Sequence, residues 1–224
     1  MTVSTPGIRP VVGALALAVT AGLGDARAAS PETTFTVTVE SVTTPTTLRL
    51  PDGSGAPAPL SPGFAYVGKE ASPFFTAGKP ASKGLQMQAE AGMPEGLVAE
   101  VKGSTKFGRN EPVTITARPG DRFTFAVMFG QSNDLFYAPK GGSMALFDKA
   151  GKPILGDRTA EVALYDAGTE VNQVPGVGPD QGPRQKTWRQ GELEHGTVWP
   201  VRDAWAYPPT AEVIRVTVSA APSS

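Results

Sequence analysis

Between Thr33 and Glu40 apolar and polar residues alternate without a break, with Phe35, Val37 and Val39 on one side and Thr34, Thr36, Thr38 and Glu40 on the other. A period of two is that of a strand with one buried face. The same period returns near the far end, where Ile214, Val216 and Val218 oppose Val213, Arg215 and Thr217. Between them, Val113–Ala117 and Arg122–Phe129 flank Pro119-Gly120, a dipeptide suited to a tight reversal, and are expected to pair as an antiparallel hairpin. A shorter strand is expected over Glu161–Tyr165. The 26 Gly and 22 Pro are spread along 224 residues, which favours short strands joined by turns over long helices. The fold class expected is an all-β antiparallel sandwich in one domain, with the strands at its two ends lying within the sheets.

One stretch departs from this pattern. From Ala81 to Val101, Leu85, Met87, Ala89 and Glu90 are good helix formers, and Leu97, Val98 and Val101 recur at helical spacing. Gly92 and Pro94 divide it into two short helices, expected as a connection packed beside the sandwich. Asp52–Pro59 reads as a surface loop, and Pro175–Pro183 is too rich in Pro and Gly for regular structure.

At the N-terminus Arg9 precedes the apolar run Val11–Val19, and Ala26-Arg27-Ala28 has the small-x-small form that signal peptidase cuts. The run is shorter than the roughly 20 residues that span a bilayer. Residues 1–28 are therefore expected to be a signal peptide and 29–224 the domain, with the mature chain secreted or periplasmic. The chain has no cysteine, which excludes disulfides, zinc–thiolate sites and thiol nucleophiles. A net charge of −1 without a dense Lys/Arg cluster leaves no electrostatic footprint for nucleic acid.

The chemistry concentrates in two short acidic segments, Ser132–Tyr137 and Tyr165–Asn172, each setting carboxylates among aromatic residues and a turn. Neither contains Lys or Arg, so desolvation of these carboxylates calls for some other compensation. A bound cation answers that need, and oxygen ligands without thiol or imidazole select hard ions such as calcium. The spacing of Asp166 and Glu170 around Gly168 also suits an Asx turn with no ligand, which is the commoner role of an Asp-x-Gly turn. The residues alone leave both readings open.

The run Gln131–Pro139, then Tyr165–Asn172, then Pro175–Gln185, together with Leu60–Gly63 and Pro73–Ser82 upstream, resembles the spondin domain in its bacterial single-domain form. The resemblance extends to the Thr33–Val42 strand. It implies a C2-like antiparallel β-sandwich carrying one calcium ion, as in extracellular matrix proteins, with Asp134, Asp166 and Glu170 matching the family's calcium carboxylates. The eukaryotic pattern has Asp where this chain has Glu170, and the extra methylene alters reach. The resemblance also implies a binding or adhesion module whose partner is an extracellular or envelope protein or glycan.

The competing class is an envelope-associated hydrolase, carboxylate-dependent or metal-assisted. His195 is the only histidine, with Glu192 and Glu194 beside it, but no Gly-x-Ser-x-Gly elbow accompanies it. It is read as a surface-loop residue, and no catalytic residue is assigned. Of the aromatic residues Phe136, Tyr137, Tyr165, Trp188, Trp199, Trp205 and Tyr207, most are expected in the core, with some rimming a ligand surface near the metal.

Overall fold

The computed structural model describes residues 1–3 and 32–220. The expected leader and its cleavage site fall almost wholly outside the described residues. In chain order the first strands are β1 (Thr33–Ser41), β2 (Leu48–Arg49), β3 (Gly55–Ala56) and β4 (Leu60–Gly68), followed by helices α1 (Lys83–Ala91) and α2 (Glu95–Glu100). Then come β5 (Thr105–Phe107), β6 (Pro112–Ala117), β7 (Arg122–Phe129), β8 (Leu135–Pro139), β9 (Met144–Ala145), β10 (Gly156–Asp157) and β11 (Val162–Asp166). The last elements are β12 (Trp199–Pro200), the helical turn α3 (Thr210–Val213) and β13 (Ile214–Ala220).

The strands form two main antiparallel sheets, one ordered β10-β13-β1-β6 and the other β12-β11-β8-β7-β4-β5, with β9 also pairing to β7. The two end strands pair with each other, Val37 opposite Val218 and Val39 opposite Val216, in the interior of the smaller sheet. Their alternation sends Phe35, Val37, Val39, Ile214, Val216 and Val218 inward, each at most 2% exposed. Facing them from the larger sheet are Phe123, Phe125, Val127, Phe129, Leu135 and Tyr137, and together these rows make the main core. The all-β antiparallel sandwich is thus present, with α1 and α2 confined to one connection.

The expected hairpin around Pro119-Gly120 is not formed. Arg118–Asp121 does make a tight turn, with Asp121 N–H donating to Arg118 O at 2.9 Å and Gly120 at φ +91°. But β6 pairs with β1 and β7 with β4 and β8, so the turn carries the chain from one sheet to the other. The burial patterns give the reason. β6 alternates exposed and buried, whereas β7 is buried on both faces from Phe123 to Phe129. A strand buried on both sides belongs at the centre of a sheet covered from outside.

That cover is the 73–101 segment. Phe64, Ala126, Phe136 and Ala138, on the outer face of the larger sheet, pack with Phe74, Phe75, Leu85, Ala89, Leu97 and Tyr165 in a second core. Ser82 caps α1 by accepting from Leu85 N–H, and Gly92 ends it in the left-handed conformation at φ 65°. The break at Gly92 and Pro94 lies where the sequence predicts it. Asp52 sits in a turn, as expected, its Oδ1 accepting from Ser54 N–H, but two smaller departures remain: Gly55–Ala56 pairs with β2 instead of staying in the loop, and Val213 is buried in α3 rather than placed on the outward face of β13.

Candidate metal centre

Asp134 closes the turn between β7 and β8, and Asp166 is the last residue of β11. The register of β8 and β11 sets Asp166 opposite Leu135, and Ala167 N–H donates to Asp134 O at 3.2 Å, so the two carboxylates meet at one end of the larger sheet. Ser132 shapes the turn, its hydroxyl donating to Phe129 O at 2.6 Å and accepting from Leu135 N–H at 3.1 Å.

Asp134 is fully buried. Its Oδ2 accepts from Thr169 N–H at 2.6 Å, Thr169 Oγ1 at 3.0 Å and Glu170 N–H at 3.0 Å. Its Oδ1 makes no hydrogen bond with any described residue. Burial, with the neighbouring charge of Asp166, pushes the Asp134 carboxyl up to about 8 despite those three donors. Asp166 is held by Gly168 N–H on Oδ1 and by Asn172 Nδ2 on Oδ2, each at 2.6 Å. Its pKa is raised too, by burial first and then by the charges of Glu194 and Asp203. Asp203 in turn accepts from the Tyr207 hydroxyl at 2.7 Å. Asp166, Glu194 and Asp203 line a small open pocket together with Trp199 and Arg202, whose guanidinium stacks 4.1 Å above the Trp199 ring.

Glu170 is placed differently. Its backbone N–H supports Asp134, but its carboxylate turns to the other side of the turn, where Oε1 accepts from Gly191 N–H at 3.0 Å. It is fully buried, and burial followed by the charge of Glu90 raises its carboxyl to about 7. Glu90 is itself fully buried at the end of α1, with Oε1 accepting from Gln86 Nε2 at 2.7 Å. The second oxygens, Glu90 Oε2 and Glu170 Oε2, make no hydrogen bond with any described residue. The structure therefore brings Asp134 and Asp166 together and directs Glu170 toward Glu90. Among the described residues no three His, Asp or Glu side chains gather closely enough to hold an ion by themselves. An ion at Asp134 and Asp166 would complete its shell with backbone carbonyls, waters or a carboxylate moved in from Asp203 or Glu194.

The Pro175–Gln185 loop braces this region. Arg184 donates through Nε to Gly178 O at 2.7 Å and through Nη2 to Gln131 Oε1 at 3.2 Å, and Gln173 N–H donates to Asn133 Oδ1 at 3.2 Å. Gln185 reaches α1, donating to Glu90 O at 2.7 Å. Sequence reasoning missed Asp203 and Glu90. Each is a lone acid far along the chain from the carboxylate it faces, so no local pattern marks it and only the fold brings it near. His195 is exposed on the loop beside Glu194. Phe136, Tyr137 and Tyr165 belong to the cores, while Trp199 and Trp205 are 38% and 42% exposed.

No family model matches this chain, and no curated protein matches it.

Proposed function

We propose that this protein is an exported binding module of the spondin type, in which Asp134 and Asp166 hold one calcium ion that orders the loops at one end of the sandwich. The observation carrying the proposal is Asp134 Oδ1, a fully buried carboxylate oxygen with no donor, set beside a second carboxylate and, among the described residues, with no Lys or Arg in ion-pair contact with either. The donor set consists of oxygen atoms, which fits calcium. The resemblance of Gln131–Pro139 and Tyr165–Asn172 to spondin domains and the leader pattern of residues 1–28 support the class and the export.

Asp134 is a poor candidate for the hydrolase alternative. A general acid must reach the proton it transfers, and this side chain is closed off from solvent, with Oδ2 already committed to three donors. Calcium titrated into chelator-treated protein tests the proposal by calorimetry and by melting. At a hundredfold excess over Kd the gain is roughly 2.7 kcal/mol, with equimolar magnesium giving little. Identical melting curves in calcium and in chelator would exclude the centre.

A further inference from the structure

We infer that the cleft between the 42–49 segment and the 206–215 segment is a binding site for a carboxylate-bearing saccharide. This cleft of about 530 Å³ is lined by Thr44, Thr46, Arg49, Tyr207, Pro209 and Arg215, among others. Its volume lies within the roughly 300–1,000 Å³ usual for ligand sites.

Among the described residues Arg49 makes no ion pair and no side-chain hydrogen bond, and Arg215 makes a single ion pair, a loose contact of 3.6 Å to Glu40. Glu212 also lines the cleft but pairs with neither guanidinium. With Glu212 in the lining and Glu40 against Arg215 the charges balance, and the guanidinium left without an acidic partner among the described residues is that of Arg49. A guanidinium presents a planar fork of donors that matches a carboxylate.

Thr47 Oγ1 accepts from Thr44 N–H at 2.8 Å, and Thr44 Oγ1 accepts from Thr46 N–H at 3.3 Å, so backbone groups of the turn fix both oxygens in place. Thr44 Oγ1 also lies 3.1 Å from Thr47 Oγ1 and 3.5 Å from Thr46 Oγ1, so the three hydroxyls form one linked group whose remaining donor and acceptor positions suit the hydroxyls of a sugar ring. Tyr207 and the adjacent prolines supply the apolar surface on which the C–H face of such a ring lies. Tyr207 is anchored at both ends, its ring edge-on to Phe129 with centroids 6.2 Å apart and its hydroxyl bonded to Asp203. A fixed floor of this kind lowers the ordering cost of binding.

Naming this ligand class deepens the binding-module proposal and rests on it, but it does not depend on the calcium ion. The test measures binding of a tetrasaccharide of alternating glucuronate and N-acetylglucosamine to the full chain, in calcium and separately in chelator. The neutral tetrasaccharide of N-acetylglucosamine and inorganic phosphate serve as comparison arms. The acidic tetrasaccharide is expected to bind at least tenfold more tightly than the neutral one. Arg49→Gln and Arg215→Gln, both exposed and checked for fold by circular dichroism, are each expected to weaken it tenfold or more. Arginine-dependent binding in chelator upholds the cleft even if the calcium titration fails. Equal binding of the neutral sugar, full competition by equimolar phosphate, absence of binding in both buffers, or no effect of either substitution would overturn it.

Discussion

Asp134 lies in the turn before β8 and Asp166 ends β11, and the pairing of Asp166 with Leu135 brings their carboxylates side by side while Glu170, four residues further on, faces Glu90 instead. The proposed centre therefore divides the three carboxylates unequally. Asp134→Asn and Asp166→Asn are each expected to lower calcium affinity at least a hundredfold in calorimetry. Glu170→Gln, which leaves the backbone N–H to Asp134 in place, is expected to change it less than about fivefold. Equal losses in all three variants would show that Glu170 swings round to the ion.

The buried carboxyls also set a pH dependence. Asp134 and Glu170 have folded-state pKa values of about 8 and about 7, above their ordinary values of 3.8 and 4.5. Between those limits the unfolded chain gives up its protons before the folded one does, so stability is greatest below about pH 4 for these groups and falls as pH rises toward 8. Each pH interval of one over which such a group keeps its proton only when folded costs roughly 1.4 kcal/mol. In chelator, urea unfolding is therefore expected to show a loss of at least about 2 kcal/mol between pH 5 and pH 8. Calcium favours the ionised form of Asp134 and should flatten the profile. A stability that rises over this range in chelator would contradict the placement of these side chains.

Local periodicity made part of this fold legible. Phe35, Val37 and Val39 announce β1, and Gly92 with Pro94 announces the break between α1 and α2, because in each case the signal lies in neighbouring residues. The partner of a strand has no such local signal. The Pro119-Gly120 turn is the same whether it joins strands of one sheet or of two, and only the two-sided burial of β7, created by distant helices, decides it. The site divides in the same way. Asp134, Asp166 and Glu170 stand out as acids in aromatic surroundings, but the direction of Glu170 depends on Glu90 and Gly191, and the setting of Asp166 depends on Asp203 and Glu194.

The approach of Glu90 to Glu170 makes a separate prediction. Both are fully buried, and the charge of Glu90 raises the cost of ionising Glu170. Glu90→Gln removes that charge while its amide oxygen can still accept from Gln86 Nε2. The variant is expected to be more stable than the parent at pH 8 by about 1 kcal/mol and indistinguishable at pH 4, where Glu170 is neutral in both. A loss of stability at pH 8 would mean that the Glu90 carboxyl has a partner that this geometry does not provide.

Gly168 offers the sharpest test of the turn that joins the two halves of the site. It holds φ +67°, and a Cβ there would lie 2.6 Å from Thr197 N and 2.9 Å from Gly196 C, both backbone atoms with little freedom to retreat. Its N–H bonds Asp166 and its carbonyl accepts from Gly196 N–H at 2.9 Å, so a shift of the turn moves the carboxylate and the 194–197 segment together. The left-handed conformation alone costs a residue with a side chain roughly 1–2 kcal/mol, and the clash adds to it. Gly168→Ala is expected to destabilise the protein by about 2 kcal/mol or more in urea unfolding. It is also expected to weaken calcium binding tenfold or more, because Asp166 and the Thr169 N–H that supports Asp134 are both displaced. If the variant kept full stability, the close approach of the 168 and 196–197 backbones would be wrong. If it lost stability but bound calcium as before, the ion would lie away from this turn.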